Sequence, residues 1–179
     1  MPTNSHVPIY GITGFGTYTG AKGGAYTKTP LGHVTDEGAT ITNASTTVKQ
    51  RSGTTGAPLH SHVSEYDPQL RVGLASGALD ALRIAMGMPT SALTGDLSAG
   101  TPTKEVLSVR ANNVATEELS LYLETVGAAG PRTWFFPRAK VATLPDFNLA
   151  RGTYLGSTST FDLYEGASGD LFWVEDATA

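Results

Sequence analysis

Two imidazoles set two residues apart, in His60-Ser61-His62, are the pairing in this sequence best suited to chemistry. On an extended strand alternate side chains leave the same face, so His60 and His62 could share one metal ion. A complete ligand set is harder to assemble. Glu65 follows too closely, Asp67 substitutes only loosely, and all four histidines (His6, His33, His60, His62) precede residue 63. The plainer reading is two solvated imidazoles in a polar loop, and no metal or other cofactor is expected. A hydrolytic nucleophile needs a sharp strand-to-helix elbow, and no G-x-S-x-G pattern supplies one. Glu117–Glu118 and Asp36–Glu37 are sequence neighbours, so on a strand they point to opposite faces and cannot act as a glycosidase pair. Gly14, Gly16 and Gly20 are spaced G-x-G-x-x-x-G with no helix pattern after them, which reads as turns and not as a phosphate cradle. The sequence therefore predicts no catalytic residue and a protein that is not an enzyme.

Arg132, Arg138 and Lys140 flank Trp134, Phe135 and Phe136, a mixture that superficially suits stacking on single-stranded nucleic acid. On a strand Trp134, Phe136, Arg138 and Lys140 share one face. Such a half-apolar, half-basic face fits core plus intersubunit contact better than recognition of bases.

The elements that would carry these residues are mostly strands. Thr, Ile and Val make Ala39–Gln50 β-prone, and β character returns at Leu70–Leu74 after the polar stretch RSGTTGAPLHSH. This predicts two neighbouring strands joined by a long loop at 51–62. One helix is expected over about 76–87: Leu79, Leu82 and Met86 recur at helical spacing, with Ser76 as N-cap, Gly87 as left-handed stop and Pro89 beyond. Glu117–Thr125 alternates, with Leu119, Leu121 and Leu123 on one face and Glu118, Ser120, Tyr122 and Glu124 on the other. Arg132–Ala142 is a further strand interrupted by Pro137, suiting an edge or a bulge. Strands are also read at 7–12, 25–28, 105–110, 147–150, 154–164 and 170–174. One helix among roughly eight strands predicts a mainly β fold, an antiparallel sandwich or partly open barrel with a flanking helix. Residues 1–32 read as an extended N-terminal arm and first hairpin, and residues 33–179 as the main domain.

The 179 residues are 40% hydrophobic and only 16% charged, against about 25% charged in ordinary soluble domains. So sparse a charge suggests a surface largely covered by other copies. The net charge of −4 argues against a protein that grips nucleic acid, because that needs cations to neutralise phosphates. Cysteine is absent, excluding disulfides and thiolate sites. The first residues lack the basic start and apolar run of a secretory signal, and no stretch is long enough to span a membrane, so a product made in a cytoplasm without membrane association is expected.

The order of parts then becomes informative. A strand, a long polar loop and a return strand lead into LASGALDALRIAMGM, followed later by RTWFFPRAKV and the closing strands YLGSTSTFDLYEG and DLFWVED. Over most of residues 30–176 this resembles the major tail tube proteins of long-tailed bacteriophages, which are similar in fold to the tube protein of type VI secretion. The resemblance implies a structural virion protein. Its six copies would form a ring whose joined inner sheets surround a hollow channel, and the rings would stack into a tail tube that passes genomic DNA without binding it specifically. It further implies assembly in the host cytoplasm and contact with tail terminator, tape measure and baseplate or distal tail proteins. The loop carrying Arg51, Gly53, Thr54, Thr55, Gly56, Pro58, His60 and His62 would contact the next ring, and Glu118, Glu124 and Asp162 are candidates for an acidic lumen.

Two other readings stand beside it. A carbohydrate- or receptor-binding module would present exposed aromatics, for which Trp134 and Trp173 are the candidates. A cupin-like metal enzyme would rest on His60 and His62 alone.

Overall fold

The computed structural model describes residues 9–51, 58–76, 78–96, 104–127, 130–145, 147–148 and 156–176, with only the backbone described at 9–10, 36–37, 43–51, 58–65, 96, 104, 127 and 147–148. Its strands are β1 (Ile9–Thr19), β2 (Thr27–Arg51), β3 (Pro58–Ala75), β4 (Leu93–Asp96), β5 (Lys104–Leu107), β6 (Glu118–Gly127), β7 (Gly130–Thr143), β8 (Phe147–Asn148), β9 (Gly156–Tyr164) and β10 (Trp173–Asp176). The order β6-β1-β2-β3-β9 is completed by pairing of β7 with both β6 and β9, so six antiparallel strands close on themselves. The mainly β fold with a helix follows the sequence expectation, and the sandwich or partly open barrel takes the form of a closed barrel. β10 extends the wall beside β7, β8 beside β9, and β4 and β5 form a separate hairpin. The hairpin read at the start of the chain is β1 with β2, and it belongs to the barrel wall: Phe15 is fully buried.

Closure fixes what fills the barrel. Eight strands leave an interior just wide enough for side chains to fill, and six leave less. Phe15, Leu70, Val72, Leu121, Phe136 and Phe161 occupy it, all at 0% exposure. The alternation read at Leu119, Leu121 and Leu123 is the inward face of β6. Parity on β7 differs from the expectation for an uninterrupted strand. Leu119 pairs with Ala139 while Leu121 pairs with Phe136, so β7 carries one extra residue at Pro137. That bulge switches the faces: Trp134, Phe136, Ala139 and Val141 point inward, and Phe135, Arg138 and Lys140 do not. Trp134 and Phe136 thus part from Arg138 and Lys140, while Phe135 shares the outward side with the two cations.

Helix α1 spans Leu79–Ala85, shorter than the expected 76–87, and its most buried face is Ala81, Ile84 and Ala85, not the Leu79–Leu82–Met86 stripe. The reason is that α1 has two neighbours, the barrel on one side and β4 and β5 on another. Ser76 hydrogen-bonds the Ala78 N–H at 3.3 Å but Ala78, not Ser76, occupies the N-cap. Gly87 does stop the helix, at φ +59. Its N–H donates to Ile84 O (2.9 Å) and the Met88 N–H to Arg83 O (3.0 Å), the paired bonds of a Schellman ending. A Cβ there would lie 2.9 Å from Val141 Cγ2. Gly87→Ala is therefore expected to remove at least about 1–2 kcal/mol through its left-handed backbone alone. Thermal unfolding should show a midpoint lowered by several degrees, and an unchanged midpoint would contradict this helix ending.

Of the loop expected at 51–62, Arg51 and Pro58–His62 are strand, and 52–57 lie outside the described residues. β2 and β3 stay paired from Ala39↔Val72 to Arg51↔Pro58, with Gln50 opposite His60 and Val48 opposite His62. Gly53, Thr54, Thr55 and Gly56 lie outside the described residues. β1 covers β2 only along 27–32, and β9 covers β3 only along 69–75. Beyond those limits, among the described residues, the two strands pair only with each other. They form a ribbon roughly 30–35 Å long, from Asn43↔Pro68 to Arg51↔Pro58, at about 3.3 Å per residue.

Candidate functional site

Two regions are candidates: the ribbon, and the outward face of β6, β7 and β9 where the three expected lumen carboxylates lie. The ribbon presents a row of backbone donors and acceptors along each outer edge. Open edges of this kind are templates for pairing with another chain. A two-stranded hairpin is also only marginally stable by itself, so a ribbon this long gains most from a partner. Arg51, Pro58, His60 and His62 are carried on it as strand residues. No three His, Asp or Glu residues approach closely enough to hold a metal among the described residues, and the His60 and His62 side chains lie outside them.

On the barrel's outward face every expected lumen carboxylate has a partner. Glu118 takes both arms of Arg138, Nε and Nη2 each donating at 2.7 Å. Glu124 accepts from Lys28 Nζ at 2.7 Å, and Lys28 also reaches Thr133 Oγ1 at 3.2 Å and lies over the rings of Tyr122 and Phe135. Asp162 accepts from Gln69 Nε2 at 2.8 Å and stands opposite Lys140. Two of the three carboxylates are thus paired with cations, and the third is bonded to an amide. The hydrogen bonds from Arg138 hold the Glu118 carboxyl below its usual range, and Arg132 and Lys22 act likewise on Asp176 and Asp170. All are exposed pairs, which contribute little to stability and orient more than they bind.

Beside these pairs lies an aromatic cluster that the sequence did not disclose. Tyr18, Tyr122 and Phe135 are buried outside the barrel interior, with Tyr26 and Trp173 packed on them. Trp173 stacks on Phe135 with centroids 5.3 Å apart, and Tyr18 meets Phe135 edge-on at 5.0 Å. Glu175 Oε1 accepts from both Tyr26 OH (2.7 Å) and Trp173 Nε1 (3.0 Å), fastening β10 to the turn between β1 and β2. Trp134 faces the other way, against Phe172, and its buried Nε1 has no partner among the described residues. Only the alternation of Trp134 and Phe135 hinted at this division.

Burial pushes the Tyr18 phenol up to about 12, with Tyr26 adding to the shift. Tyr122 is raised by burial and then by Glu124, and Tyr26 by desolvation and then by its bond to Glu175. Unfolded phenols ionise near pH 10, so stability is intact below about pH 10 and falls as pH rises toward about 12. Denaturant melts at rising pH should show this decline, lessened in Tyr18→Phe. A flat profile across that window would contradict burial of the cluster.

No protein-family model matches the chain, and no curated protein does. Among the described residues, no helix is long and apolar enough to cross a membrane.

Proposed function

We propose that this chain is a structural subunit that joins copies of itself through strand edges into rings, stacked as a hollow tube of the phage tail tube kind, and that it has no catalytic role. The observation that carries this reading is the β2–β3 ribbon, which pairs with no further strand along either outer edge among the described residues. A second subunit can complete those edges with backbone hydrogen bonds, the same bonds that hold the barrel together. A chain with 16% charged residues also keeps much of its surface suited to contact with its own kind.

The packed barrel bears on where a conduit would lie. Phenylalanine and leucine fill the interior of each subunit, so the bore belongs between subunits. DNA passing such a bore must not adhere. The pairs Glu118–Arg138 and Glu124–Lys28 engage two cations that could otherwise displace counterions from phosphate. Phage DNA and the other tail proteins are partners of the assembled tube in this reading, and the virion tail is its location.

The test is assembly of the purified chain at increasing concentration, followed by sedimentation and negative-stain imaging. Rings or tubes of uniform width are the expected result. A chain that stays monomeric at the highest concentration reached, and that no virus particle contains, overturns the proposal.

A further inference from the structure

We propose that the outward cleft between the β1–β2 turn and the β9–β10 turn is a binding site for a neutral saccharide. The cleft measures about 580 Å³, within the range of small-ligand sites of roughly 300–1,000 Å³. Its lining includes Tyr18 and Trp173 from the aromatic cluster, Lys22 and Ser168 from the two turns, and Glu118 and Arg138 beside the Pro137 bulge.

Three features select the ligand class. The first is an aromatic wall held in place: Trp173 is stacked on Phe135 and its indole N–H is already given to Glu175. Lys22 Nζ lies over this ring 6.0 Å from its centroid, a distance at which the flexible ammonium can swing aside for the C–H face of a pyranose. The second is charge. Glu118 is neutralised by Arg138, and Lys22 by Asp170 at 2.8 Å, so an anionic or cationic ligand would have to break an existing pair. A neutral polyol needs no such exchange, because carboxylates and hydroxyls keep acceptor capacity after their first bond. Ser120 donates to Pro137 O (2.9 Å) and Ser168 to Asp170 Oδ2 (2.8 Å), and both hydroxyls still accept.

The third feature is rigidity. Lys22 ties the two turns together across the cleft, the Gly23 N–H donates to Tyr26 OH at 2.8 Å, and the second turn is closed by Gly166 N to Asp170 O and Gly169 N to Gly166 O. A site ordered beforehand loses less entropy when a ligand settles into it. Binding, not cleavage, is the role that fits. Both carboxylates at the cleft are held ionised by cationic neighbours, so neither serves as the protonated acid that glycoside hydrolysis requires.

The experiment titrates the full-length chain with neutral α-glucan, β-glucan and N-acetylglucosamine oligosaccharides by calorimetry and tryptophan fluorescence. The chain has two tryptophans, and Trp134 is turned into the core, so an emission change reports Trp173. At least one oligosaccharide is expected to bind saturably and shift that emission. Ala167→Trp, at an exposed position on the cleft, and Arg138→Ala should each weaken binding at least about tenfold with the circular dichroism unchanged. The inference is overturned if no oligosaccharide binds, if binding survives Ala167→Trp, or if only sulfated glycans or inorganic phosphate bind and added salt abolishes it. None of these outcomes depends on polymerisation, so the tube proposal and this one fail separately.

Discussion

Replacing residues 43–68 with Asn-Gly is expected to abolish polymerisation while leaving the barrel folded. The cut falls where Thr42 is paired with Gln69, a register that a two-residue type I′ turn can close. Every pairing of β2 with β1, and of β3 with β9, lies on the barrel side of that cut. The lost segment forms strand pairs only with itself among the described residues, and of its described side chains (66–68) only Pro68 is buried, so the midpoint of thermal unfolding should fall by only a few degrees. Sedimentation and negative stain should show the variant as a small uniform species at concentrations where the parent forms rings. Tubes of normal width from the truncated chain would remove the ribbon from the subunit contact.

Phe161→Ala should have the largest effect on the fold itself. Phe161 is at 0% exposure on β9, opposite Leu70 of β3 and Val141 of β7, with the Phe15 ring 6.4 Å away. It therefore stands where the barrel closes. Removing a fully buried phenylalanine costs about 3–5 kcal/mol, because neighbours in a narrow closed wall collapse poorly into the void. Domains have only about 5–15 kcal/mol in total. At about 2–4 °C per kcal/mol for a chain of this size, the unfolding midpoint should fall by roughly 6–20 °C. A loss below about 1 kcal/mol would mean that the site is not packed as a closed interior.

What the sequence disclosed depended on whether a pattern had one buried face. Leu119, Leu121 and Leu123 were legible because β6 has an inside and an outside. The helix was legible in its existence and its Gly87 ending. Its face was not, because an element packed on two sides carries apolar residues around most of its circumference. The ribbon hid for the opposite reason. PLHSH carries no apolar–polar alternation of period two, so it reads as a polar loop although it is strand. Pro137 announced a bulge, but only the β6 register shows that Arg138 and Lys140 change sides. The cleft was beyond reach, since Lys22 and Asp170 are joined across 148 residues of chain by closure of the barrel.

β2 and β3 run without a break from the barrel wall to the ribbon's far end. A pull along the ribbon is therefore delivered lengthwise to the ladders β1–β2 and β3–β9, so their hydrogen bonds bear the load together in shear and do not peel one at a time. A protrusion anchored in this way resists mechanical extraction far better than a loop of equal length, and tension on one molecule is passed to its barrel as a whole.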